Sequence, residues 1–212
     1  MESREAAQHK TWRNWSGSQS CRPAAFRAPR SEEELAAIIR AASPGVRVVG
    51  AGHSFSPLVP TNQTLLSLEH LSGITQVDAA QRQVTCGGGT RLHDLGEPLW
   101  KHGLGILNQG DIDAQAIAGA IATGTHGTGP EFGCIATQVV SLRLCLPSGE
   151  IVDCSPDKNA SLFAAARVAC GALGVITRAT LQCRPAYHLH ERTTTANLED
   201  SLSRIGELAA AQ

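Results

Sequence analysis

Residues 48–56 read VVGAGHSFS. Val48 and Val49 end a β-branched run that starts at Val46, so the stretch reads as a strand entering a glycine loop at Gly50, Ala51 and Gly52. Ligands bind α/β sheets at such places, beyond the carboxyl ends of strands. Yet His53 and Ser54 stand where a Walker loop would place Gly-Lys-Ser/Thr, and the third glycine of a GxGxxG dinucleotide fingerprint is missing. Glycine amides approach a ligand closely, and several in succession form a nest for phosphate oxygens without any positive side chain. The same residues equally serve as a tight turn between packed elements.

Upstream, Ser31-Glu32-Glu33-Glu34 is a capping box, followed by Leu35, Ile38 and Ile39 at helical spacing. A helix is predicted to about Ser43, ended by Pro44-Gly45, and with Val46–Val49 it makes an αβ unit. Residues 1–30, with Trp12-Arg13-Asn14-Trp15-Ser16-Gly17, read as a loop lid without regular structure. Downstream, Thr64–Leu68, Ile74–Asp78 and Gln83–Cys86 read as strands, the last closed by Gly87-Gly88-Gly89. Leu92, Leu95 and Leu99 stripe a helix over Thr90–His102, which Pro98 must kink unless it lies near the end, with Gly103 as C-cap.

The second glycine cluster, Thr123-Gly124-Thr125-His126-Gly127-Thr128-Gly129, follows a small-residue helix predicted over Ala114–Ala122. Val139–Leu146 and Ile151–Cys154 form a hairpin around Pro147-Ser148-Gly149-Glu150. Ser161–Cys170 reads as an alanine-rich helix and Val175–Cys183 as a strand. Beyond Pro185, one helix over Asn197–Ala211 carries Leu198, Leu202, Ile205 and Leu208 on a face with no partner left in the chain, which points to a second domain beyond it.

At 212 residues and 42% hydrophobic, the chain can bury the core of one large domain or two small ones. A net charge of -1 and scattered Lys and Arg give no electrostatic reason for a nucleic-acid or anionic-membrane partner, and a small polar substrate fits better. There is no long apolar run, and Met1–Glu5 lacks the apolar centre of a secretory signal, so a cytoplasmic protein without a transmembrane segment is expected. Seven cysteines without a CxxC pair argue against a disulfide framework or zinc knuckle, and most of them read as reduced core residues. His93, His102, His188 and His190 read as surface or helix-end groups, and no ligand spacing supports a metal site.

In chain order, NWSG (14–17), VRVVGAGHSFSPLV (46–59), GDIDAQAIAGAIATGTHGTG (110–129) and CGALGVITRATLQ (170–182) resemble the PCMH-type FAD-binding domain of the vanillyl-alcohol-oxidase flavoproteins. Within that superfamily the similarity is greatest to aldonolactone oxidases, which oxidise D-arabinono-, L-gulono- or L-galactono-1,4-lactone, and to alditol oxidase. The resemblance spans roughly residues 11–195. It implies an α+β fold of two α/β subdomains, a small N-terminal αβ part and a larger part with an antiparallel sheet flanked by helices. The implied division is an N-terminal segment at 1–30, the FAD-binding domain at 31–185, and the start of a truncated C-terminal substrate domain at 186–212.

Carried over residue by residue, the resemblance implies that Gly50, Ala51, Gly52 and Ser54 contact the FAD pyrophosphate. Thr123, Gly124, Thr125 and His126 would lie along a second cofactor loop, with Gly119 just before it, Asp111 meeting the cofactor and Ile176 presenting its backbone to the adenine end. For His126 a polar turn is the competing reading. His53 stands where many members bond covalently to the flavin 8α-methyl, and a neutral imidazole is a nucleophile near physiological pH. The implied reaction moves a hydride from a CH–OH group of a sugar lactone or polyol to flavin N5, then to oxygen or another acceptor. The substrate-side base would lie in the C-terminal domain, absent from this chain, so weak FAD binding without lactone turnover is expected, and a non-catalytic flavin-binding remnant is the alternative.

Overall fold

The computed structural model describes residues 11–42 and 45–210. The predicted helix stop at Ser43-Pro44 lies outside them. Two sheets organise the rest, and the glycine loop of residues 50–54 leaves the smaller one.

The smaller unit opens with a two-stranded antiparallel pair, β1 (Trp12–Arg13) and β2 (Ser20–Cys21). It continues through β3 (Ala25–Arg27), α1 (Glu32–Ala41), β4 (Val46–Val49) and β5 (Thr64–Ser67). β3 and β4 both pair parallel to β5, giving the order β3-β5-β4. The central strand is accordingly the most enclosed, with Leu65 and Leu66 fully buried. Ser31 caps α1 by accepting from the Glu34 amide, and the Glu34 carboxylate accepts from the Arg30 amide, so the predicted capping box closes one residue earlier than its usual form. Leu35, Ala36 and Ile39 turn inward and pack with Leu66 and Leu68. The expectation of an irregular lid over residues 1–30 is thus corrected for residues 11–30 by β1, β2 and β3, and residues 1–10 lie outside those described. Strands this short carry too little alternation to be read locally, and Ala25–Arg27 is extended because β5 supplies its hydrogen-bond partners.

The larger unit contains β6 (Ile74–Asp78), β7 (Gln83–Gly87), α2 (His93–Lys101), β8 (Leu104–Ile106), α3 (Ile117–Ala122), β9 (Val139–Cys145), β10 (Ile151–Cys154), α4 (Ala160–Ala166) and β11 (Val175–Pro185). Its sheet is antiparallel throughout, in the order β10-β9-β11-β7-β6, with β8 added to the far end of β11. Val84, Leu142, Leu144 and Leu181 of the sheet share one core with Leu95 and Leu99 of α2, Ile117 and Ile121 of α3, and Phe163 of α4. Burying each such side chain contributes about 1.5–3 kcal/mol.

Several predicted boundaries move. α2 begins at His93 rather than Thr90, because the Thr90 amide and hydroxyl both donate to the Gly87 carbonyl and form a turn. α3 begins at Ile117 rather than Ala114, because Ala116 is bridged to Arg91 in extended form. α4 stops at Ala166, and Cys170 sits in the left-handed region at φ 49°. The single C-terminal helix is two, α5 (Leu198–Ser203) and α6 (Ile205–Ala210), neither with a buried residue. Of the seven cysteines, Cys86, Cys145, Cys154 and Cys183 are core residues, whereas Cys170 is exposed.

Two features join the units. Gly87, Gly88 and Gly89 lie where β7 crosses the rest of the chain, and a Cβ on them would meet the carbonyls of Leu71, Ile176 and Leu68 respectively. Gly88 is bonded on both sides, its amide donating to Thr177 and its carbonyl accepting from Ala118. Beside this crossing, Arg143 Nε donates to both Glu32 oxygens at 2.9 and 3.1 Å, its Nη1 donates to Asp153 at 2.9 Å, and the Thr177 hydroxyl donates to Glu32 at 2.6 Å. Among the described residues no helix is long and apolar enough to cross a membrane.

Candidate functional site

A cleft of about 530 Å³ runs between the two units. It falls inside the roughly 300–1,000 Å³ range of small-molecule and cofactor sites. One wall is residues 50–54 at the carboxyl end of β4, and the opposite wall is built by Gly88, Gly89, the start of α3 and the loop of residues 169–176. Charged side chains in the lining are few: Arg47, Glu69 and Arg91. Arg91 is steadied by a 3.2 Å bond from Nη1 to the Ala114 carbonyl. Glycine and alanine are the commonest lining residues and are joined by Val, Leu and Ile, so the walls are largely apolar, with close backbone approach where the glycines lie.

The local structure of the glycine loop follows from its sequence. Gly52 sits at φ +71°, which a side chain would strain, and a Cβ on Gly50 would press against that of Ala116 at 3.0 Å. Among the described residues, no protein group accepts from the amides of Ala51, Gly52, His53 or Ser54. Successive unpaired donors on a cleft wall are the make-up from which anion nests are built. Across the cleft, Gly119 has no heavy atom within 4 Å of the place its Cβ would occupy, so this part of α3 faces open space.

His53 is held from outside the loop. Its imidazole stacks on the Trp15 indole, with centroids 5.3 Å apart and planes at 21°. The Trp15 amide donates to the Gly52 carbonyl at 2.9 Å, and Asn14 Nδ2 donates to the Ser54 carbonyl at 3.1 Å. Phe55 meets Trp15 edge-on at 6.2 Å.

Of the twelve residues assigned to the cofactor from the sequence, Gly50, Ala51, Gly52, His53, Ser54, Gly119, Thr123 and Ile176 line this cleft. Asp111, Gly124, Thr125 and His126 do not. Thr125 is occupied with its neighbours: its amide donates to Ala120, its carbonyl accepts from Ile135, and its hydroxyl accepts from Gln115. His126 Nδ1 lies 2.8 Å from the Gly127 carbonyl, and Asp111 is exposed. Conversely, Arg91, Gln115 and Cys170 line the cleft although none is assigned to the cofactor from the sequence, and Asn14 and Trp15 of the NWSG stretch touch the loop of residues 50–54. Among the described residues, no group of three or more His, Cys, Asp and Glu is placed to hold a metal ion.

A dinucleotide with a diphosphate fits this make-up: the nest offers donors for phosphate oxygens, the glycine walls allow close approach, and a single carboxylate lies in the lining. Comparison with known proteins points the same way. A family model described as FAD binding domain matches residues 23–155. The chain is 43% identical over 199 residues to an L-gulono-1,4-lactone dehydrogenase of Mycobacterium tuberculosis, covering 92% of this chain and 46% of that protein. It is 39% identical to an L-gulonolactone oxidase of Bos taurus, covering 92% and 45%, and 42% identical to a D-arabinono-1,4-lactone oxidase of Yarrowia lipolytica, covering 86% and 35%. The chain therefore spans about half or less of the length of these relatives. Among solved structures, 6-hydroxy-D-nicotine oxidase of Arthrobacter nicotinovorans superposes with a TM-score of 0.70 at 24% identity, over 76% of this chain and 36% of that one, and so shares the fold. The family match takes in β3 to β10, the glycine nest and the start of α3, and on that basis the chain belongs to the FAD-binding-domain family.

Proposed function

We propose that this protein is the FAD-binding part of an oxidoreductase acting on the CH–OH group of a sugar lactone, with FAD in the cleft and bonded covalently through His53. The observation that carries the reading is the run of unpaired amides at residues 51–54 on a wall of the cleft. When bound, the flavin accepts a hydride at N5 and passes the electrons on. The chain's own residues bind and orient. Amides 51–54 hold the diphosphate, Gly119 and Gly50 let the cofactor lie close, Ile176 flanks the adenine end, and Arg91 adds positive charge to a site that receives an anion. Thr125 anchors the second loop through its bonds with Ala120, Ile135 and Gln115, with Gly124 and His126 on that loop beside the cleft, and Asp111 would meet the cofactor from outside the cleft lining.

The covalent link balances with dioxygen as co-reactant. Linkage would join an imidazole nitrogen of His53 to the 8α carbon with loss of one N–H and one C–H hydrogen, and dioxygen would take up the two protons and two electrons as hydrogen peroxide. The lactone class is supported by the three named relatives, which share it, and dioxygen as acceptor by the two of them that are oxidases.

Titration of the apoprotein with FAD and with riboflavin tests the reading. FAD is expected to bind at least about tenfold more tightly, because riboflavin has no diphosphate for the nest. Equal affinities, or no binding of either, would contradict it. In a form as long as the relatives, anaerobic bleaching near about 450 nm by aldonolactone and not by an alditol is expected; the reverse would replace the lactone with a polyol.

A further inference from the structure

We infer that Asn14 and Trp15 are positioning residues that set the direction of the His53 imidazole for its bond to the cofactor. The inference rests on the reading above, that His53 carries the flavin.

The two residues take hold of the His53 segment on three sides. The Gly52 carbonyl before His53 accepts from the Trp15 amide, and the Ser54 carbonyl after it accepts from the Asn14 side chain. The ring between them is covered by the Trp15 indole. Fixing both flanking peptides leaves the imidazole two side-chain torsions, and a flat stack at 21° removes most of the freedom in them.

Asn14 is itself anchored. It is 5% exposed, its Nδ2 also faces the hydroxyls of Ser16 and Ser18 at 3.1 and 3.2 Å, and its Oδ1 accepts from the Gln19 amide at 2.9 Å. Gln19 Nε2 in turn donates to the Phe55 carbonyl at 3.3 Å, a further tie between the β1–β2 hairpin and the loop. Gly52 itself packs against the hairpin: the place its Cβ would take lies in ordinary contact with the Trp12 ring at 3.4 Å and Asn14 Cα at 3.6 Å, and its φ of +71° is what favours glycine there. A hairpin that served only to cover the core would not need an exposed indole: Trp15 is 63% exposed, and its ring contacts among the described residues are His53 and Phe55.

An imidazole that must present one nitrogen to a single carbon atom gains from such pre-orientation, because displacement by about 1 Å from a reactive geometry costs up to about 100-fold in rate. The test compares wild type, Trp15→Leu, Trp15→Phe and His53→Ala, each prepared as apoprotein and mixed with FAD. Three quantities are followed: FAD affinity, the rate at which flavin becomes resistant to acid denaturation, and the His53 ring-proton resonances, assigned by their loss in His53→Ala.

Trp15→Leu keeps apolar bulk but not the flat ring. It is expected to slow attachment between about 10- and about 100-fold, with FAD affinity within about threefold of wild type. Its His53 ring-proton signals are expected to move downfield as the indole ring current is lost. Trp15→Phe, which can still stack, is expected to restore attachment. Attachment at the wild-type rate in Trp15→Leu, while His53→Ala attaches none, overturns the positioning role and leaves the His53 reading intact. Acid-resistant flavin in His53→Ala, or none in wild type, overturns both. His53 signals unmoved by Trp15→Leu overturn the stacked geometry whether or not flavin is bound.

Discussion

Substituting Gly119 by alanine separates stability from cofactor binding. Gly119 is the third residue of α3, is exposed, and lines the cleft. Nothing lies within 4 Å of the position its Cβ would take, so an added methyl group meets no protein atom. Removing a helical glycine then stabilises the apoprotein by about 0.5–1 kcal/mol, through the entropy of the unfolded chain and helix propensity. For a chain of this size that raises the melting temperature by roughly 1–4 °C. The same methyl projects into the space assigned to FAD, and loss of close approach is expected to weaken FAD binding about tenfold, or about 1.4 kcal/mol. Thermal unfolding of the apoprotein by circular dichroism and FAD titration by flavin fluorescence read the two effects. A lowered melting temperature would show that the site is not open. An unchanged FAD affinity would show that the cofactor does not lie against α3.

Gly88→Ala is the opposite case: its methyl is driven into the Ile176 carbonyl, which cannot move without disturbing β11, so a loss of about 3 kcal/mol and roughly 6–12 °C is expected in calorimetry; an unchanged melting temperature would disprove the crossing geometry. Arg143→Met strips the mostly buried Glu32 carboxylate of its cation and is expected to cost about 2 kcal/mol, read by urea unfolding, against no change if the pair is only a surface contact. The hydrogen bond from Arg143 also holds the Asp153 carboxyl below its ordinary 3.8, so that stabilisation is complete above pH 3.8 and lost as pH falls through the depressed value; Arg143→Met is expected to flatten this acid-side loss, and an identical acid profile would contradict the link. Burial pushes the Cys86 and Cys183 thiols up to about 11, so iodoacetamide at neutral pH should label Cys170 and spare both until the protein unfolds, and bound FAD should slow Cys170 labelling; labelling of Cys170 indifferent to FAD would place the cofactor elsewhere.

The parts of the fold legible in the sequence are those whose signal is local. Ser31 and the apolar triplet Leu35, Ile38 and Ile39 mark α1, Ile74–Asp78 is observed with the limits its pattern predicts, and Pro147–Glu150 turns the β9–β10 hairpin. β3 and β8 escape local reading because three residues become a strand only when β5 or β11 supplies partners. The site divides in the same manner. Gly50–Ser54 is legible because its glycines and polar residues are consecutive. Gly88 and Gly119 look alike in sequence, yet one is shut in by a backbone carbonyl and the other opens on the cleft, a difference set wholly by tertiary neighbours. The second cluster is less legible for the same reason, with Thr123 on the cleft and Gly124, Thr125 and His126 beside it. Gly127 is required by the approach of Asn108 and Gln109, and the Thr125 hydroxyl accepts from Gln115, so that part of the signal also reports packing beside the cleft. Asn14 reaches Ser54 across 40 residues, a distance at which no spacing rule operates.

The central assignment, FAD in the cleft and bonded to His53, is tested most directly by peptide mapping of the FAD-treated protein after acid denaturation. Flavin absorbance is expected to co-elute with the one peptide that contains His53, with the mass of that peptide raised by the cofactor. Flavin recovered quantitatively in the acid supernatant, or attached to a peptide without His53, would contradict it.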